Sequence, residues 1–179
     1  MEVGKHTYGI KNITIRPDPS AKLIIGAFCS IADNVTIFLG RNHRIDWITT
    51  YPFGHSAIDI FDKFDGKGHP KSNGDVVIGN DVWIGSNVTI MSGIKIGDGA
   101  VVSANSHVVE NVKPYSVVGG NPSQFYFFRF NVNIINKLLE IKWWNFEDDI
   151  INDLSPILCS NNFDEFFRLC ENINIKYDE

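Results

Sequence analysis

Between residues 76 and 119 an aliphatic side chain returns at every sixth position, through Ile78, Ile84, Ile90, Ile96, Val102 and Val108. Pro114 takes the next slot. A second, small or aliphatic series keeps the same step through Val82, Val88, Ile94, Ala100, Ser106, Val112 and Val118. An α-helix repeats near 3.6 residues and an alternating strand at 2, so a step of six demands another geometry. It is the signature of a parallel β-helix, in which six residues make one short strand and one corner. The aliphatic residue points inward at every face, and one such face cannot bury itself alone, so coils must stack. Gly79, Gly85 and Gly97 follow the aliphatic position directly. They read as corner residues whose backbone angles a side chain would penalise.

The register appears earlier, at Ile25, Ile31 and Ile37, and then breaks. From Gly40 to Asp75 no phase can be followed, and the return at Ile78 lies 41 residues after Ile37, not a multiple of six. The chain therefore leaves the stack and comes back. A long excursion from a compact repeat is uncommon and usually functional. Its first part, GRNHRIDWITTYPFG, carries Trp47, Tyr51 and Phe53, which need something to pack on. Residues 59 to 75 look more exposed, with Asp59, Asp62 and Asp65 as a solvated face. Ahead of the repeat, Ile13, Ile15, Leu23 and Ile24 suggest short strands, and Arg16-Pro17-Asp18-Pro19 marks a turn.

After the repeat, GGNPSQ closes the β-helix. The organisation expected is a β-helix domain over residues 1–124 with a protruding loop at 40–75, and a helical extension over 125–179. In the extension Val132, Ile134, Ile135, Leu138, Leu139 and Ile141 fit one helical face. Asn145 is the expected N-cap of a second helix, with Glu147, Asp148 and Asp149 in its first turn. A third helix follows Asn161 or Asn162 and carries Phe163, Phe166, Phe167 and Leu169. From Asn131 onward 10 acids stand against 4 bases, so this is the acidic part of the chain. Its apolar stripes are expected to cap the open end of the stack or to meet a neighbouring subunit.

A net charge of -5 offers no general attraction to nucleic acid or to an anionic membrane. No apolar run reaches transmembrane length, so no membrane insertion is expected. Cys29, Cys159 and Cys170 are odd in number and lack a metal or redox spacing. They read as reduced thiols of a cytoplasmic protein, and Cys29 falls on a small inward position.

Chemistry must come from few residues. Of the five histidines, His6 lies near a terminus and is expected exposed, His69 sits among Gly and Pro and is expected in solvent, and His107 should face outward. His55 flanks the aromatic loop. His43 is the candidate, where the chain departs the stack, with Asn42, Asp46, Trp47 and Tyr51 nearby in sequence. Asp46 either orients His43 or pairs with Arg44, and sequence leaves both open.

The repeat, the excursion carrying NHRIDWITTYPF, the terminator VVGGNPS and the following RF…LLEIKWW together resemble the hexapeptide-repeat acyltransferases. More narrowly, over about residues 25 to 150, the chain resembles the xenobiotic acetyltransferase subgroup. That subgroup includes streptogramin and chloramphenicol acetyltransferases and many polysaccharide O-acetyltransferases. The resemblance implies a left-handed β-helix prism, a homotrimer, and active sites between neighbouring subunits. It implies acetyl-CoA as cosubstrate, no metal, and His43 as general base. Imidazole suits that task because its unperturbed pKa of about 6.5 leaves it largely neutral yet basic at pH 7.

For acetyl-CoA the matching positions are Trp83, Gly85, Ser103, Ala104, Asn121, Pro122 and Ser123. The Ser-Gln of NPSQ departs from the family's Ala-Lys, and Gln124 cannot supply that lysine's charge; Lys113 or Arg129 is the substitute expected. On the acceptor side the resemblance points to Asn42, Asp46, Trp47, Tyr51 and Phe53. The three aromatics either stack on the acceptor or anchor the loop to the next subunit.

The leading expectation is O-acetylation of a surface-polysaccharide sugar or its precursor. The alternatives are O-acetylation of an antibiotic, N-acetylation of an amino sugar, and a non-catalytic trimeric scaffold. The γ-type carbonic anhydrases share the β-helix but need several histidines on adjacent coils for zinc. Only His107 lies on the regular stack.

Overall fold

The computed structural model describes residues 1–55 and 60–177; Asp59 of the expected acidic face lies outside them. Contacts divide the chain into two units, Met1–Phe127 and Phe128–Glu179.

The first unit is a parallel β-helix of three sheets. One holds β1 (Glu2–Val3), β3 (Leu23–Ile25), β6 (Val76–Ile78) and β9 (Lys95–Ile96). The second runs from β4 (Ser30–Ile31) through β7 (Trp83–Ile84), β10 (Val101–Val102) and β12 (Ser116–Gly119) to β13 (Gln124–Phe128). The third holds β2 (Ile13–Arg16), β5 (Val35–Phe38), β8 (Thr89–Ile90) and β11 (His107–Val108).

Register explains the sequence period. Ile78 pairs with Ile96, Ile84 with Val102 and Ile90 with Val108, each 18 residues on, so three hexapeptides make one coil. Ile25 pairs with Ile78, Ile31 with Ile84 and Ile37 with Ile90. These partners lie 53 residues apart rather than 18, so the excursion adds 35 residues to one coil while the stack continues in register. All of these aliphatic residues are buried, as is the second series. Removing such a side chain from water is worth about 1.5–3 kcal/mol, which is why coils this short hold their place.

The corners correct one expectation. The glycines after the aliphatic position are not there for unusual backbone angles. A Cβ on Gly85 would sit 2.6 Å from the backbone N of Ala104, and one on Gly97 2.5 Å from that of Pro114. Stacked coils approach too closely there for any side chain. The left-handed backbone falls instead on Asp81, Asn87, Gly93, Gly99 and Asn105, again at six-residue intervals, with φ between 55° and 80°. Asn and Asp tolerate that region because their short polar groups bond locally. Here they bond between coils: Asn34 Nδ2 donates to Asn87 Oδ1, and Asn87 Nδ2 to Asn105 Oδ1, both at 3.1 Å. At another corner Asp98 Oδ1 accepts from the backbone and side-chain N–H of Asn80, whose own Oδ1 accepts from Ala27 N–H.

In the second unit, α1 (Val132–Ile141) starts where Asn131 Oδ1 accepts the Ile134 N–H at 3.0 Å. α2 (Asp148–Leu158) is capped at Glu147 and not at the expected Asn145. The left-handed Lys142 ends α1, and Trp143–Asn145 then forms a 3-10 turn that buries Trp144. α3 (Phe163–Tyr177) follows Asn162, whose Oδ1 accepts from Glu165 N–H. It packs on both α1 and α2. Among the described residues, no helix is long and apolar enough to cross a membrane.

Candidate active site

The excursion leaves after β5 and is stapled at its base. Asn42 and Lys71 exchange backbone hydrogen bonds of 3.0 and 2.7 Å, antiparallel. The Asn42 amide donates to Ser92 Oγ at 2.8 Å, tying the staple to the corner of the next coil. Ser92 is buried there and also accepts from the Asn73 N–H. Residues 43 and 69 to 71, distant in sequence, are thereby side by side.

His43 follows the staple. Its Nδ1 lies 2.7 Å from the Thr50 carbonyl oxygen. A carbonyl only accepts, so Nδ1 carries the proton and Nε2 is the basic nitrogen of the neutral ring. Asp46 does not orient it. Its carboxylate takes Nε and Nη2 of Arg44, which holds its pKa down at about 2. The Arg44 guanidinium in turn lies 5.1 Å over the Trp47 ring.

The expectation for His69 is overturned. It is only 2 % exposed, and its ring meets that of His43 edge-on at 4.8 Å. Neighbouring Gly and Pro suggested solvent, but the staple folds this arm beneath His43. Its Nδ1 accepts the Arg44 N–H at 3.4 Å, and burial, with His43, His55 and Arg44 around it, lowers its pKa.

The aromatic residues pack within their own loop. Trp47 lies between Phe64 at 5.8 Å and His69 at 5.7 Å, and Phe53 touches Tyr51 and Phe61. Trp47 and Phe53 are half-buried and Tyr51 is exposed. His55 Nε2 is 2.9 Å from the Gly66 carbonyl oxygen, closing the two arms of the loop on each other.

Between these arms and the turn after β2 lies a groove of about 810 Å³. His43, His55 and His69 line it with Asp18, Arg41 and Lys67. Its size is in the range of small-molecule sites. Asp18 is held ionised by the hydroxyl and backbone N–H of Ser20. Sequence reasoning missed Asp18, Arg41, Lys67 and the Thr50 carbonyl. The last has no side-chain signature, and the others join the site only through the staple and the turn. Among the described residues, no group of three His, Cys, Asp or Glu is placed to hold a metal ion.

Residues 75–109 match the family model described as bacterial transferase hexapeptide (six repeats). A probable macrolide acetyltransferase of Lysinibacillus sphaericus is 50% identical over 145 residues, covering 78% of each chain. The chain belongs to the hexapeptide-repeat acetyltransferases. A chloramphenicol acetyltransferase of Klebsiella aerogenes is 43% identical over 155 residues, 81% of this chain and 70% of that one. Among solved structures, a Vibrio cholerae hexapeptide-repeat acetyltransferase complexed with acetyl coenzyme A is similar, with TM-score 0.54 and 26% identity. It is matched over 72% of this chain and 60% of its own. A maltose O-acetyltransferase of Clostridium difficile 630 is similar, with TM-score 0.51 and 28% identity, over 72% of this chain and 59% of its own. Family membership makes the parallel β-helix of this acetyltransferase a left-handed one.

Of the positions expected to meet the cosubstrate, Trp83, Gly85, Ser103, Ala104, Asn121, Pro122 and Ser123 fall on one sheet and the corner that follows it. Trp83 on β7 is 57% exposed and pairs with Val101 on β10. At the corner, buried Gly85 stacks on Ser103 and the exposed Ala104. Asn121 and Pro122 are exposed just beyond β12, and Ser123 N–H donates to the His107 carbonyl at 2.8 Å. Lys113 is exposed at a different corner, after the strand edge where Val112 bridges Ile96. Arg129 belongs to the second unit, where its guanidinium lies 5.0 Å over Phe130. His43 stands at the third corner, between β5 and β6.

Proposed function

We propose that this protein transfers the acetyl group of acetyl-CoA to a hydroxyl of a small-molecule acceptor, with His43 as general base. The observation that carries this is the Nδ1 of His43 held by the Thr50 carbonyl at the wall of an 810 Å³ groove. Nε2 removes the acceptor hydroxyl proton as its oxygen attacks the thioester carbonyl carbon. The C–S bond then breaks, and His43 returns the proton to the leaving thiolate, giving the acetyl ester and free CoA. Charges and atoms balance without a covalent enzyme intermediate.

Acetyl-CoA would lie along Trp83, Gly85, Ser103, Ala104 and Asn121–Ser123. Exposed Ala104, Asn121 and Pro122 present backbone and side-chain groups to such a ligand, whereas Lys113, at a different corner, does not join them within one subunit. These residues and His43 occupy different corners of the prism, so base and cosubstrate would meet when two subunits pack side by side. That favours a homotrimer, with Trp83 at or near the seam. A cytoplasmic setting fits the supply of acetyl-CoA.

The two curated relatives described above are named for antibiotics, so an antibiotic hydroxyl is the acceptor favoured over the polysaccharide sugar expected from sequence. The charged rim of the groove, with Asp18, Arg41 and Lys67, supports a saccharide as the second reading. Asn42, Asp46, Trp47, Tyr51 and Phe53 do not line the groove, so they then act on the acceptor by shaping the loop around it.

The test is free-thiol release from acetyl-CoA with erythromycin, chloramphenicol, maltose and nucleotide sugars, for the protein and for His43→Ala. Acceptor-dependent release that falls by about 10²–10⁴ in the variant is expected for loss of a general base. Turnover undiminished in His43→Ala would remove the histidine from the mechanism. Sedimentation of the purified protein as a monomer would remove the shared site.

A further inference from the structure

His69 is buried, touches the candidate base, and is used by nothing in the mechanism above. Its surroundings are specific. Nδ1 accepts the N–H of Arg44, the residue that follows His43 in the chain. Nε2 is buried without a hydrogen-bond partner. The ring is wedged between His43 at 4.8 Å and Trp47 at 5.7 Å, and its backbone N–H is tied to the Gly66 carbonyl at 3.1 Å.

An imidazolium needs acceptors for both N–H groups. Here one nitrogen faces a donor and the other faces no acceptor, so a proton on both would be buried and uncompensated. The neutral ring, with its proton on Nε2, is the form this packing admits. During turnover His43 becomes an imidazolium, and a charged ring 4.8 Å away would oppose that step. A neutral one does not.

Geometry gives the second half of the argument. The Thr50 hydrogen bond holds one nitrogen of His43, but the ring is exposed and that single bond does not by itself keep it from swinging off the carbonyl. The His69 ring closes the side against which it would swing. Arg44 N–H binds His69 to the same stretch of backbone, so base and wall are held to one another and not merely adjacent.

We propose that His69 is a positioning residue for His43: a buried, neutral wall that keeps the base on its Thr50 contact and so in one orientation and one tautomer. This rests on the reading of His43 as the base. Alanine removes the wall. Phenylalanine keeps a ring of similar shape with no proton to gain or lose.

The experiment uses the full-length protein as wild type, His69→Ala, His69→Phe and His43→Ala. Long-range proton–nitrogen NMR reports which nitrogen of each histidine is protonated, and His43→Ala assigns the His43 signals. Wild type and His69→Phe should show His43 protonated on Nδ1 alone in its neutral form, and His69→Ala a mixture of tautomers. In thiol release with erythromycin or chloramphenicol as probe, kcat should fall about tenfold to a hundredfold in His69→Ala. KM for acetyl-CoA should stay within about threefold, and His69→Phe should recover most of kcat. A His43 signature unchanged in His69→Ala overturns the proposal, as does kcat in His69→Phe no better than in His69→Ala. If His69→Ala does not fold, His69→Phe alone decides, since tautomeric mixing there has the same consequence. Full activity in His43→Ala would instead sink the base assignment, whatever the His69 variants do.

Discussion

The Nδ1 of His43 stands 2.7 Å from the carbonyl oxygen of Thr50, while Asp46, the carboxylate nearest in sequence, is turned onto Arg44. A backbone carbonyl and not an acid therefore selects the tautomer of the candidate base. Because the contact is to the main chain, Thr50→Ala should leave it in place. Thr50 is exposed, so its stability should move by no more than about 0.5 kcal/mol. Thiol-release kinetics should find this variant close to wild type and His43→Ala about 10²–10⁴ slower.

Asp46→Asn makes the complementary case. Its carboxyl is held at about 2 by Arg44. The folded value is depressed, so the contribution of the pair is complete above the ordinary Asp range and is lost only as pH falls through about 2. The pH–rate profile above pH 5 should therefore have the same limbs in wild type and Asp46→Asn. A displaced limb would mean that Asp46 acts on His43 after all.

Asn87 is the middle rung of the Asn34–Asn87–Asn105 ladder, with φ of 59°. Alanine would lose two inter-coil hydrogen bonds, about 1 kcal/mol each, and would carry a left-handed backbone at a cost of about 1–2 kcal/mol. Glycine would lose only the bonds. Urea unfolding should rank wild type above Asn87→Gly and Asn87→Gly above Asn87→Ala. Asn87→Gly more stable than wild type would show that the ladder contributes nothing.

Gly85→Ala should destabilise by about 1–3 kcal/mol, as overpacking does, because the new methyl would meet Ala104 backbone at 2.6 Å. The measurement is thermal unfolding without ligand. An unchanged midpoint would mean the corner opens freely, and would return Gly85 to a purely cosubstrate role.

Thiol labelling tests the core. Cys29 and Cys170 are buried, and burial pushes the Cys170 thiol up to about 11, whereas Cys159 is exposed. A disulfide reagent at pH 8 should modify one thiol per chain quickly and the other two only on denaturation. Rapid reaction of all three would contradict the packing around Cys29 and Cys170.

The six-residue period by itself determined the coil, its inward residues and the place where the stack is interrupted. Each inward position repeats the same local demand, so Ile78, Ile84 and Ile90 announce the fold without knowledge of their partners. The helix at Val132–Ile141 was legible for the same reason, its apolar face being local. The start of α2 was not, because the Trp143–Asn145 turn depends on burial of Trp144. His43 could be singled out from its motif. What surrounds it could not, because Thr50 contributes a backbone atom, and His69 arrives through the Asn42–Lys71 staple across 29 residues of chain. Periodic side chains carry their own instruction. A site closed by backbone carbonyls and by one loop arm folding beneath another exists only once the chain has returned to the stack.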